Sequence, residues 1–281
     1  MKQPKPDEHL HPHYRIEDDA RFATTLARGL SILRAFRPGD EGLTNAELSE
    51  RTGLPKATVS RLTWTLGALG YLTRPARAEK YRIGPSLMAL GHVATASMNF
   101  LDLMHGPLQD LADETASLMC LNMRDRSKVL LTRTWRPRDV ASLWLEAGQR
   151  VPMGTSSSGW ALIAAMTPQE IEWLLADQPD TGLTAADVAR IRTAALDQIE
   201  RTSCVIVPHE LSYSANANVV SVPIRVDTVA EPLVLTAGGS PDVLSQERMR
   251  DELGPRLVDT LRRLQDASGG AISLITTQGR P

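Results

Sequence analysis

Cysteine is almost missing from this chain of 281 residues: Cys120 and Cys204 are its two copies, and they do not form a CxxC pair. That excludes a disulfide framework, and a reducing cytoplasm is the expected compartment. Aromatic residues are scarce at 4%, so aliphatic side chains must fill the cores. No apolar run reaches the roughly 18–20 residues that span a bilayer, because Arg, Asp, Pro or Gly breaks each one. The opening stretch, MKQPKPDEHLHPHYRIEDD, has no apolar h-region, so neither a secretory signal nor a membrane partner is expected. Charge of one sign is not in excess: 31 Lys and Arg against 33 Asp and Glu leave a net of −2. The chain as a whole is therefore no obvious polyanion binder. HExxH, GxGxxG and the GxxxxGKS/T loop are absent as well, and no metal or cofactor is expected.

What is present is an ordinary globular composition, 42% hydrophobic and 23% charged. At about 150 residues per domain, the length suggests two domains. The charge divides unevenly. Residues 21–92 carry 11 basic and five acidic side chains, a net of +6, whereas residues 93–281 carry 17 basic and 23 acidic, a net of −6. A small basic module beside a larger acidic one points to nucleic-acid contact confined to the first, with chance surface charge as the plainer reading.

Residues 1–20 lack periodicity and read as a disordered tail, in which His9, His11 and His13 are better explained by mobility than by a metal. Over 23–37, Leu26, Leu30, Leu33 and Phe36 recur at helical spacing and Pro38-Gly39 ends the helix. Thr44 with Glu47 forms a capping box that opens a short helix over 45–52, closed by Gly53. Pro55, at a first helical position, starts a third helix over about 56–68, with Val59, Leu62, Leu66 and Leu69 on one face. Two strand-like runs, 71–74 and 80–83, flank a polar turn. Three helices followed by a hairpin make a winged helix-turn-helix over 21–84. A helix over 85–98 then links the domains. Its stripe of Leu87, Leu90, Val93 and Ala94 needs a partner, most simply its own copy in a second subunit.

Beyond it, helices are expected over 101–116, 158–166, 168–176, 185–202 and 245–266. Strand-like runs fall at 118–123, 128–135, 141–145, 204–207, 219–226 and 233–237. This order predicts an α+β domain over 99–270 with a mostly antiparallel sheet, and a C-terminal tail over 271–281.

Two places carry chemistry. If Val59, Leu62 and Leu66 of the third helix face the core, then Lys56, Ala57, Thr58, Ser60, Arg61 and Thr65 face outward. Short polar side chains let a helix sit deep in a major groove about 12 Å wide, and Arg can pair with guanine edges. Thr58, Ser60 and the helix N-terminus suit phosphates, Arg74, Arg77 and Lys80 on the wing suit backbone or minor groove, and Thr44 is a further candidate DNA contact. An amphipathic surface helix without a ligand is the bland reading. The second place is VPMGTSSSGWALIAAM at 151–166, where small hydroxyl residues precede an apolar helix. Its first amides can hold a carboxylate without any Arg. Simple capping by Ser157 or Ser158 explains the same residues equally well.

LARGLSILRAF, LTNAELSERTGLPKATVSRLTWTLGALGYL and KYRIGPSLMALG together resemble the isocitrate-lyase-regulator (IclR) family of bacterial transcription factors, closely over about 22–92 and more weakly through 100–270. The resemblance implies a winged helix-turn-helix joined by a linker helix to a GAF-like effector domain. It also implies dimers or dimers of dimers on pseudo-palindromic double-stranded DNA, and control of a catabolic operon by a small organic acid. On that likeness Ser157 and Ser158 match the family's amide-donating pair. Pro208 and His209 stand where an Asp is usual, Asn218 or Val219 matches a small or thiol residue, and Thr236 and Gly238 match two hydroxyls, the second lost. These departures speak against glyoxylate or pyruvate. With Met119, Leu121, Trp144 and Trp160 as apolar walls, a larger and partly apolar acid, such as an aromatic one, fits better. The competing readings are a hydrolase-like enzyme using the Ser-rich turn or Cys204 with His209, and a scaffold that binds protein through its helical head. Neither has a supporting motif: residues 154–158 do not spell GxSxG.

Overall fold

The structure is a computed structural model that describes residues 21–75, 79–140, 142–143, 145–176 and 182–276. The expected tail at 1–20, the three alternating histidines, Arg77 and Trp144 lie outside the described residues. The chain divides into two compact units whose boundary falls between Met98 and Asn99.

The first unit contains α1 (Thr24–Arg34), α2 (Asn45–Thr52), α3 (Lys56–Ala68), β1 (Leu72–Thr73), β2 (Arg82–Ile83) and α4 (Pro85–Ala96). It is a winged helix-turn-helix. Ile32, Leu43, Leu48, Val59, Leu72 and Tyr81 form its core. The capping box opens α2: Thr44 Oγ1 accepts from the Glu47 amide at 3.2 Å, and Glu47 Oε2 accepts from the Thr44 amide at 2.7 Å. Gly53, at φ 71°, closes it. Leu72 pairs with Ile83 and Thr73 with Arg82 across the wing, and Leu43 bridges to Tyr81 on the far side.

Two burial expectations fail here. Leu26 and Leu30 of α1 are exposed, and the inward positions are Gly29 and Ile32, with Leu33 and Phe36 packed at the edge. Gly29 faces α3, where an added Cβ would stand 4.0 Å from Leu62 Cδ2, an ordinary van der Waals contact. The buried stripe is thus shifted by one helical step. Leu69 is exposed as well, beyond the last turn of α3.

The second unit runs α5 (Phe100–Thr115), β3 (Leu118–Asp125), β4 (Lys128–Trp135), β5 (Arg150–Pro152), α6 (Ser157–Ala165), α7 (Pro168–Ala176), α8 (Ala185–Thr202), β6 (Val205–Ile206), β7 (Asn218–Val226), β8 (Leu233–Gly239), α9 (Gln246–Arg248), α10 (Gly254–Ala267) and β9 (Ile272–Leu274). The strands form one antiparallel sheet in the order β5-β4-β3-β8-β7-β6, with β9 also on β7. Helices α6, α7 and α8 cover one face, packing on Leu118, Cys120, Val129, Leu131 and Val234. Helices α5 and α10 pack together along the other. A bulge shifts the β3–β4 register between Leu121 and Asn122, and Thr132 fills it by donating to the Leu121 carbonyl at 2.9 Å.

Two expected boundaries are corrected. No strand forms at the described residues of 141–145, because the Arg136 guanidinium donates to the carbonyls of Leu143 and Leu145 and takes the place of a neighbouring strand. The sheet instead gains β5 at Arg150–Pro152. The stretch expected as a tail from 271 contributes β9, whose Ile272, Ser273 and Leu274 pair with Val226, Arg225 and Ile224. Gly269 and Gly270, both at positive φ, make the turn that returns the chain from α10 to the sheet.

Candidate functional site

In the head, α3 is held at a fixed angle to α2 by a buried hydroxyl. Thr63 is fully buried and donates to Asn45 Oδ1 at 3.1 Å and to its own helix at the Val59 carbonyl, 2.9 Å away. Pro55 is the N-cap of α3, one position earlier than its expected place inside the helix. Lys56, Ala57, Ser60, Arg61 and Thr65 are exposed on α3, and Thr58 is half-buried. Thr65 Oγ1 donates back to the Arg61 carbonyl at 3.0 Å. Thr44, a candidate DNA contact, has its hydroxyl committed to Glu47 in the cap. On the wing, Arg74 lies over the Tyr81 ring at 5.5 Å, and Lys80 is exposed. Sequence reading missed Trp64. It is 73% exposed and, at helical spacing, shares a face with Ala57, Ser60 and Arg61. The signal was available in that spacing, but an aromatic residue in a helical run reads first as core.

In the second unit a pocket opens at the N-terminus of α6, between that helix, β3, β7, β8 and the turn at His209–Leu211. Ser156, not Ser157 or Ser158, is the N-cap: its Oγ accepts from the Gly159 amide at 3.1 Å and donates to the Pro152 carbonyl at 2.5 Å. Ser157 and Ser158 occupy the first two helical positions, where an amide has no intrahelical acceptor. The turn is locked from two sides. Trp160 Nε1 donates to the Gly154 carbonyl at 2.7 Å. Gly159 passes so close to β5 that an added Cβ would lie 2.0 Å from the Met153 carbonyl oxygen.

Of the residues expected here, Ser157, Ser158, His209, Val219 and Thr236 line the pocket. Met119 and Leu121 do not. Side chains alternate along a strand, and β3 turns Cys120 and Asn122 toward the pocket, which sends Met119 and Leu121 to the opposite face of the sheet. Gly238 is outside the lining too; it sits against the Asn218 carbonyl and Val219. Trp160 is core and a brace for the turn rather than a wall.

The polar groups of the pocket are joined. Asn122 Nδ2 donates to Thr236 Oγ1 at 2.7 Å, Thr236 Oγ1 and Ser221 Oγ are 3.2 Å apart, and Ser221 Oγ donates to Ser157 Oγ at 3.0 Å. Asn218 is fastened to the Leu244 carbonyl at 2.7 Å and receives Gln246 Nε2 at 3.0 Å. The described lining holds no Lys, Arg, Asp or Glu. Burial pushes the Cys120 thiol up to about 12, so it presents a neutral S–H.

The nucleophile reading of Cys204 fails on its surroundings. Its Sγ donates to Thr202 Oγ1 at 3.3 Å, not to His209, and burial raises its pKa away from thiolate formation. Among the described residues no cluster of metal-ligating side chains forms, and no helix is long and apolar enough to cross a membrane.

A winged helix-turn-helix head and a separate sheet domain with a pocket are the architecture of a DNA-binding regulator. Comparison with known proteins makes this particular. Residues 25–76 match the IclR helix-turn-helix domain, and residues 92–278 match the bacterial transcriptional regulator IclR C-terminal domain. The chain belongs to the IclR family of transcriptional regulators. It is 31% identical to the HTH-type transcriptional regulator TsaQ1/TsaQ2 of Comamonas testosteroni, over 90% of this chain and 91% of that protein. It is also 31% identical to the Pca regulon regulatory protein of Pseudomonas putida, over 73% of this chain and 70% of the relative. Among solved structures, an IclR-family regulator from Brucella abortus superposes with a TM-score of 0.74 at 29% identity, covering 94% of this chain and 99% of its own.

Proposed function

We propose that this regulator senses a small, partly apolar organic acid, with aromatic acids as the leading class, and controls a catabolic operon from a pseudo-palindromic site. The carrying observation is the pocket at the start of α6. The Ser157 and Ser158 amides sit at the positive end of the helix, no Lys, Arg, Asp or Glu lines the space among the described residues, and Cys120, Leu131, Leu145 and Val151 supply apolar wall. A carboxylate is held there by dipoles alone.

In the same reading, residues 21–84 bind DNA, 85–98 pair two subunits, and the sheet domain from 99 onward binds the acid. Lys56, Ala57, Ser60, Arg61, Thr65 and Trp64 face the major groove, and Arg74 and Lys80 on the wing reach the backbone or minor groove. The acid acts by population shift: it binds one arrangement of the domain better and so biases the paired heads. A reader of chromosomal operators works in the cytoplasm.

The test is Ser157→Pro. Proline is favoured at the first helical position and deletes one amide donor, and the extended Ser156 before it tolerates that neighbour. Calorimetry with a panel of benzoates and short aliphatic acids is expected to show at least about tenfold weaker binding, the worth of one hydrogen bond to a charged group, with the melting temperature kept. Unchanged affinity would remove the helix start from the acid site.

A further inference from the structure

The linked polar groups in the pocket have a direction, and we infer from it that the site selects an acid carrying a second group, a hydroxyl or N–H donor, which Asn122 reads. This rests on the acid-binding reading above and adds what stands at the ligand's far end.

The direction follows from fixed acceptors. Asn122 Nδ2 lies 3.2 Å from the Val234 carbonyl and 3.4 Å from the Cys120 carbonyl. Carbonyls only accept, so Nδ2 and not Oδ1 faces them: one of its two protons points at the Val234 carbonyl, with the Cys120 carbonyl at the margin, and the other is left for Thr236. The same –NH2 donates to Thr236 Oγ1, so the Thr236 proton is free to go onward to Ser221. Ser221 in turn donates to Ser157. All the protons in the chain therefore point one way, and the two ends differ in kind. At the Ser157 end an O–H is left to donate, next to the first amides of α6. At the Asn122 end an acceptor, Oδ1, is left without a partner among the described residues, on a side chain that is 1% exposed and lines the pocket.

A carboxylate satisfies the first end and has nothing to offer the second. An acceptor oxygen on a residue that lines the pocket is matched by a donor on the ligand, and a site built around such a group rejects an analogue that lacks it far more strongly than it resolves a methyl group. Asn122 is thus a specificity-determining residue that sequence patterning passed over, because β3 reads from sequence as an apolar strand.

The experiment is calorimetric titration of the full chain with matched pairs: 3- and 4-hydroxybenzoate against 3- and 4-methylbenzoate, and 4-hydroxybutyrate against pentanoate. In each pair a methyl group replaces the hydroxyl. At least one hydroxylated acid is expected to bind about tenfold or more tighter than its methyl partner, and Asn122→Leu is expected to bring that pair to within about twofold. Because the wild-type protein alone already discriminates or does not, a variant that fails to fold leaves the test decisive. Equal binding within every pair overturns the role of Asn122 and leaves the acid site standing. No binding by any of the acids overturns both.

Discussion

Single residues set the two contact surfaces. Arg61 is the exposed guanidinium on the outward face of α3. Replacing it with Ala is expected to cost about 1–3 kcal/mol on the cognate site and to relax preference at one base pair. Lys56→Ala, by contrast, is expected to weaken all sequences alike and to lower the slope of log K against log salt by about one. Gel-shift titrations over a salt series on cognate and scrambled duplexes separate the two; equal effects on both duplexes for Arg61→Ala would remove it from base reading. In the pocket domain the most constrained position is Gly159, where a methyl group would collide with the backbone at Met153. Gly159→Ala is expected to destabilise that domain by about 3 kcal/mol, the upper part of the range for overpacking. Urea unfolding followed by Trp fluorescence measures it, and an unchanged midpoint would mean that β5 yields freely.

At the level of elements, the loop between α1 and α2 is fastened by one pair. Arg51 donates to both Asp40 oxygens, at 2.6 and 3.0 Å, and to the Ala35 carbonyl at 2.9 Å. The Arg51 hydrogen bonds hold the Asp40 carboxyl below its ordinary 3.8, against an opposing push from burial. A carboxyl whose folded pKa lies below its unfolded value stabilises fully at neutral pH, and that contribution disappears as pH falls through the folded value. Asp40→Asn is therefore expected to cost up to about 1 kcal/mol at pH 7 and nothing near pH 2, by denaturation at both pH values. A loss that persists in acid would assign the effect to geometry.

Elements were also the scale at which sequence spoke most clearly. The Thr44–Glu47 capping box, the Gly53 stop and 3.6-residue spacing place α2 and α3 within a residue or two of their observed ends. Phase was harder to read. Leu26 and Leu30 fit an apolar stripe as well as Gly29 and Ile32 do, and only the packing of α1 against α3 decides between them. In β3 every residue from Leu118 to Leu121 is apolar or Cys, so alternation carries no mark of which face holds the pocket. The 141–145 segment has strand composition, and its diversion by Arg136 is a tertiary event with no local signal. The Ser-rich turn was legible as a helix start, whereas the donor chain through Ser221 joins residues from three distant strands and one helix.

On the scale of the molecule, the first unit leaves apolar surface uncovered. No residue of α4 is buried; Val93 is 69% exposed, and Met88 and Leu90 are exposed beside it. Leu26 and Leu30 on α1 add to this surface. A stripe of this kind marks an association face. Val93→Glu is expected to halve the mass seen in sedimentation and to lower affinity for a two-half-site duplex at least about tenfold, because each head then binds alone. A wild-type chain that sediments as a monomer would refute pairing through α4.

The absence of a fixed cation around the Ser157 and Ser158 amides reaches beyond the pocket itself. Ion atmospheres loosen the grip of Lys and Arg on phosphates, but they hardly touch a short-range bond inside a dry wall. On the proposed function, rising ionic strength is expected to lower occupancy of the operator while the threshold for the acid stays where it was, so the same ligand level is read at a lower baseline of bound promoter.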